Sequence, residues 1–119
     1  MDENLLQDIT IYHKAGNSWQ RYNLRASLRN TFIRNRDNTG SSNVNVALIR
    51  IFDVDGFNKT YYVANGDVLV DKSVKDEIKS APLTELRSIY GKDSVYSINT
   101  VEKFIFDDLE LSHIKIGAI

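Results

Sequence analysis

The 119-residue sequence predicts a mainly β domain, a small antiparallel barrel or sandwich with one short helix at about 82–90 and a long loop at about 26–43. Three observations predict it. Apolar and polar residues alternate in several stretches, as they do where successive side chains point to opposite faces of a sheet. Clusters of turn-forming residues separate those stretches. Helical spacing occurs over one short segment. No internal repeat or compositional break divides the chain, so residues 1–119 are expected to form a single domain.

Ile9, Ile11 and His13 alternate with Thr10 and Tyr12. Ala15-Gly16-Asn17-Ser18 is a turn cluster, and residues 19–25 can run back, so 7–25 is expected to be a hairpin. Trp19 and Tyr22 add the apolar area that a lone two-stranded ribbon lacks. Residues 26–43 lose the pattern. Arg21, Arg25, Arg29, Arg34 and Arg36 occur with no acid until Asp37, and Asn38 to Asn43 are turn formers with little to bury, which predicts the long loop. Thr31-Phe32-Ile33 is a short stretch that can still pair as strand.

The stretch 43–54 reads as an interior strand, with Val44, Val46, Leu48 and Phe52 on one face and Ala47, Ile49 and Ile51 on the other. Apolar residues on both faces predict cover on two sides or packing in an assembly. A turn at 53–58, a short strand at Tyr61-Tyr62-Val63 and a tight turn at Asn65-Gly66 follow. Val68, Val70, Val74 and Ile78 sit at even spacing, predicting a strand over 67–78. Pro82 near a first helical turn, Leu83, Leu86 and Ile89 or Tyr90 at helical spacing, and Gly91 as terminator predict the helix. In 94–116, Tyr96, Ile98, Phe104, Phe106, Ile114 and Ile116 fall on even positions and are expected to share one buried face of an antiparallel pair around the acidic corner at 107–110.

Composition narrows the function classes. With 42% apolar and 26% charged residues the chain is too apolar for wholesale disorder, and a net charge of −1 sets up no global field for nucleic acid or anionic membrane. The charge is uneven: six of seven arginines precede residue 51, while 61–119 carries ten acids against seven bases. The absence of cysteine excludes disulfides, thiolate metal sites and a cysteine nucleophile. The acidic start and the short aliphatic run Val46-Ala47-Leu48-Ile49 predict a soluble, unprocessed protein without membrane association.

Little in the chain points to catalysis. The sequence shows no Gly-rich phosphate loop, metal signature or nucleophile elbow, so neither a cofactor nor enzymatic activity is expected. His13 and His113 lie in predicted strands with no carboxylate at a spacing that strand geometry places beside them, and are expected to be polar surface or interface residues. Asp53-x-Asp55-Gly56-x-Asn58 has the opening spacing of a calcium loop but lacks the closing glutamate, so a turn is expected. The arginine-bearing segment 21–36 has two readings: a solvated strand face with a floppy loop, or a protruding arm whose guanidinium groups meet carboxylates or phosphates. A local patch on a near-neutral chain can touch DNA weakly and non-specifically, but does not make a dedicated DNA binder.

Three groups of residues carry a family resemblance. They are Ile9-Thr10-Ile11-Tyr12-His13-Lys14 followed by Trp19 and Arg21; Val44 to Ile51 with Asn65-Gly66-Asp67-Val68-Leu69-Val70; and Leu83 to Tyr90 with Ser97 to Val101 and Leu111-Ser112-His113-Ile114-Lys115-Ile116. In that order the chain resembles the small minor capsid or neck proteins of tailed phages and prophages of Gram-positive bacteria. It departs from their pattern in lacking a proline after Ile51 and in a shorter middle. The resemblance implies a virion structural protein assembled in the host bacterial cytoplasm, a connector or stopper at the head–tail junction. It implies self-association into a ring, contacts with portal or adaptor and tail-side proteins, and a loop aimed at the DNA tunnel. Arg25, Arg29, Arg34, Arg36, Asn38 and Gly40 would then form that loop, and Ile49, Ile51 and His113 would contact neighbouring subunits. A tail-terminator or tail-end ring subunit, or a binding module outside the virion, are the alternatives.

Overall fold

The structure, a computed structural model, describes residues 6–37, 40–78, 81–91, 93–106 and 112–119, with 30–45 described by their backbone alone. Six strands, β1 (Leu6–Ala15), β2 (Ser18–Asp37), β3 (Gly40–Ile51), β4 (Val68–Val70), β5 (Val95–Phe104) and β6 (His113–Ala118), close into an antiparallel barrel in the order β1-β2-β3-β6-β5-β4. One helix, α1 (Pro82–Tyr90), packs outside it. The fold class is the one the alternation predicts.

Alternation decides what goes inside. Ile9 and Ile11 of β1, Ala26 of β2, Ala47, Ile49 and Ile51 of β3, and Leu69 of β4 are fully or almost fully buried in the barrel. Tyr96 and Ile98 of β5 and Ile114, Ile116 and Ala118 of β6 complete its wall. The first hairpin turns where expected, with Gly16 in the left-handed region at φ 63°. The Asn65-Gly66 turn also forms, and Asp67 N–H donates to the Ala64 carbonyl across it at 3.1 Å. At 53–58, Asp53 holds the turn by accepting the Gly56 N–H at 3.0 Å.

Four expectations are corrected. The long loop expected at 26–43 is instead strand over its described residues: β2 continues without a break to Asp37 and pairs with β3 from Ser27↔Arg50 to Asp37↔Gly40. A ladder satisfies backbone groups whatever the side chains are, so polarity alone does not prevent pairing. Tyr61-Tyr62-Val63 is not a strand; Tyr61 makes an isolated bridge to Phe57, and Tyr61 and Val63 fold into the barrel core. The strand over 67–78 stops at Val70.

The fourth correction concerns the last hairpin. A register shift between Ile98 and Thr100 exchanges the faces of β5. Val101 thereby packs on the core, whereas Phe104 turns outward and Phe106 is 46% exposed.

Beyond Val70 the chain leaves the sheet and runs as a strap, residues 71–78, over β1 and β2. Polar side chains of those two strands take its carbonyls. Gln7 donates to Asp71 (2.9 Å), Thr10 to Lys72 (2.8 Å), Asn23 to Val74 (3.1 Å) and Tyr12 to Asp76 (2.6 Å), and Arg21 donates to Lys75. Burial of Tyr12, followed by the nearby Asp76 carboxylate, pushes its hydroxyl pKa up to about 12. The strap and α1 cover the outward faces of Tyr12, Val68, Val70 and Val95 with Val74 and Leu86. Pro82 opens the helix, Ala81 supplies no side-chain cap, and Gly91 ends it at φ 91° by donating to Arg87. So short a helix depends on this packing; fully burying Leu86 contributes roughly 1.5–3 kcal/mol.

Candidate functional site

Of the residues expected in a long loop, Arg34, Arg36 and Gly40 lie on a β-arm. β1 flanks β2 only as far as Ser27, and β6 flanks β3 only from Ala47. From Thr31↔Val46 to Asp37↔Gly40 the two strands have no other neighbour among the described residues. These seven pairs extend the ribbon by roughly 23 Å at ~3.3 Å per residue. The longest dimension of the molecule is 46 Å, against 33 and 25 Å across it. Arg34 pairs with Asn43, Arg36 with Ser41 and Gly40 with Asp37. Asn38 lies outside the described residues.

Arg25 and Arg29 stand lower, where the arm joins the barrel. Ala26 points inward, so Arg25, Ser27 and Arg29 take the outer face of β2. The register brings Arg50 of β3 opposite Ser27, and Lys115 of β6 opposite Arg50. Three strands therefore place four cations on one outer face at the arm root. Arg25 lies 3.7 Å from Asp8, both largely exposed, while Arg29, Arg50 and Lys115 have no ion pair among the described residues. Two cations directly opposite on neighbouring strands repel, and Glu102 of β5, directly opposite Lys115 on its other side, offsets part of that repulsion.

Ile49 and Ile51, expected at a subunit contact, are 0% and 1% exposed inside the barrel. They cannot meet a neighbour; the outward residues of that strand are Leu48 and Arg50. His113 does lie on the outer face. Its ring sits 5.2 Å from Phe104, 6.2 Å from Phe52 and 6.3 Å from Phe106, forming a partly exposed aromatic patch with Ile105 beside it in the chain, 57% exposed.

A buried carboxylate that the sequence did not reveal sits at the other histidine. His13 Nδ1 lies 2.6 Å from Asp67 Oδ2, and Asp67 is 3% exposed. Because an ionised carboxylate only accepts, Nδ1 is the donor. Asp67 also accepts the Ala64 N–H at 2.8 Å and the Lys14 N–H at 3.3 Å, and Tyr62 stacks on His13 at 5.9 Å. Fifty-four residues separate the pair in sequence. The signal was Asp67 itself, an acid directly after a tight turn and before an apolar triplet, where backbone N–H groups converge. Among the described residues no hydroxyl or amine side chain hydrogen-bonds to His13. The pair ties β1 to the turn before β4.

One family model, described as a family of unknown function (DUF6751), matches residues 5–119. A search of curated proteins finds no match.

Proposed function

This chain belongs to the family DUF6751, and we propose that it is a ring-forming structural protein of the tailed-phage neck, a connector or stopper joining portal to tail. The observation that carries the reading is the β2–β3 arm, projecting from a closed barrel at the place where the resemblance implies a loop aimed into the DNA tunnel. A free two-stranded ribbon is marginal in water, which favours an arm that docks on something. Portal, neighbouring subunit and passing DNA are the partners this reading supplies. The chain then acts through shape and contact, with the barrel as ring wall and the arm as its reach.

Imaging of intact particles, with mass spectrometry of their protein content, tests this. Density for the barrel is expected at the head–tail junction. A position at the far end of the tail tube would instead make the chain a terminator, and absence from purified particles would make it a module outside the virion. Replacing residues 31–46 with a two-residue Asn-Gly turn should leave a folded barrel that no longer supports the joining of heads to tails.

A further inference from the structure

Around the barrel, β3 and β4 are three strands apart in either direction, so their outer faces are diametrically opposed. The outer face centred on β3 carries Arg29, Arg50 and Lys115 without ion pairs among the described residues. The outer face of β4 is covered by the strap and α1. Between those two elements runs a groove of about 530 Å³ whose lining includes Asp76, Glu77, Glu85 and Ile89, and no cation among the described residues. Ile89 is 58% exposed there, and Leu48 stands directly opposite Arg29 on the basic side. Each face thus joins charge mostly of one sign to an apolar side chain, with Glu102 opposite Lys115 at the edge of the basic face and Arg21 beside Asp76 and Glu77 at the edge of the acidic one.

We propose that these two faces are the two halves of one head-to-tail contact between copies of this chain. Arg29, Arg50 and Lys115 of one copy enter the Asp76–Glu77–Glu85 groove of the next, with Leu48 against Ile89. Complementary patches on opposite sides of one molecule give a heterologous interface, which closes into a ring or continues as a filament. The contact also removes the repulsion between Arg50 and Lys115. A second copy fits better than a nucleic-acid duplex. The basic face is bordered by Asp8 and Glu102, opposite Arg25 and Lys115 respectively, and a duplex needs a positive track that continues past its edges. This inference rests on the ring reading for its occupant and names the contact that builds the ring.

The test uses the full chain in low salt, with sedimentation and native mass spectrometry. Wild type should self-associate. Arg50→Glu and Glu85→Lys should each weaken association at least ~10-fold, as expected for a close interfacial charge pair, and mixing the two should restore it. The chain has no cysteine, so Arg50→Cys/Glu85→Cys should form a ladder of disulfide-linked multimers on oxidation, while either single variant should not. Efficient dimer from Arg50→Cys alone means like faces meet and overturns the proposal. So does a wild type that stays monomeric, or a set of charge variants that associate as wild type does. Retention on duplex DNA that Arg50→Glu abolishes, with self-association unchanged, assigns the face to nucleic acid and overturns it too. Each of these results leaves the neck placement standing, since that is decided by where particles carry the chain.

Discussion

Thr10 is the residue on which the strap depends most. Its side chain is fully buried on the outer face of β1 and uses its whole hydrogen-bonding capacity. Oγ1 donates to the Lys72 carbonyl at 2.8 Å and accepts from Val74 N–H at 3.0 Å and from Asn23 Nδ2 at 2.9 Å. Thr10→Val keeps the shape and the β-branch and removes all three bonds. The cost is worked from the partners left behind. The Val74 N–H and Lys72 carbonyl lose buried partners, at about 1–3 kcal/mol for each unsatisfied group, whereas Asn23 retains the Val74 carbonyl. With some recovery through water, the expected loss is about 2–4 kcal/mol. Across 119 residues that lowers Tm by roughly 8–16 °C. Urea titration and thermal melting measure it. The single tryptophan, Trp19, packs on the layer that the strap and helix form, so its emission should shift to the red as the strap lifts. Thr10→Ser should retain most of the stability. A Thr10→Val protein within ~0.5 kcal/mol of wild type would show that the hydroxyl does not hold the strap.

Three further outcomes are expected. Tyr12 has a folded pKa of about 12 against an ordinary value of 10.0, so the stability it contributes is intact below pH 10 and is lost as pH rises from 10 through 12; Tyr12→Phe should flatten the fall of Tm across that window. Burial raises the Asp71 carboxyl above 3.8, opposed by Lys72 and by a hydrogen bond from Ser94. A raised folded pKa means that its contribution is present below 3.8 and lost as pH climbs past the folded value, so Asp71→Asn should raise Tm at pH 7 and lose that advantage at pH 3. A Cβ on Gly117 would collide with the Thr100 hydroxyl, which accepts the Gly117 N–H at 3.1 Å. Gly117→Ala should therefore cost about 1–3 kcal/mol, and in a double-mutant cycle with Thr100→Ala the combined loss should be smaller than the sum.

The barrel was legible because its strands bury one face and keep strict parity, as Ile9 and Ile11, Ala47 to Ile51, and Ile114 and Ile116 show. Parity failed at Ile98/Thr100, where one irregular residue in β5 reassigned Phe104 and Phe106, and no local pattern marks that shift. The even spacing of Val68, Val70, Val74 and Ile78 reads as strand, yet the pattern cannot tell a ladder from a strap held by Gln7, Thr10, Tyr12, Arg21 and Asn23. The arm hides for a similar reason: the run from Asn38 to Asn43 has little to bury, whereas pairing of the strands on either side needs only backbone. At the candidate interface the arginines were visible individually. Their meeting with Lys115, some 65 residues beyond Arg50, is a product of β3–β6 register and has no signature in either segment.

The length of β2 has a mechanical consequence. One uninterrupted strand forms part of the barrel wall, through ten pairs with β1, and then becomes one side of the arm. Tension applied at the arm's tip along the strand loads those ten pairs together, in shear, instead of unzipping them one after another. The molecule is thereby a handle forged in one piece with its socket. A pull on the outer end reaches the Leu6–Ala15 strand without crossing a loop, and the barrel resists it with the strength of a whole ladder.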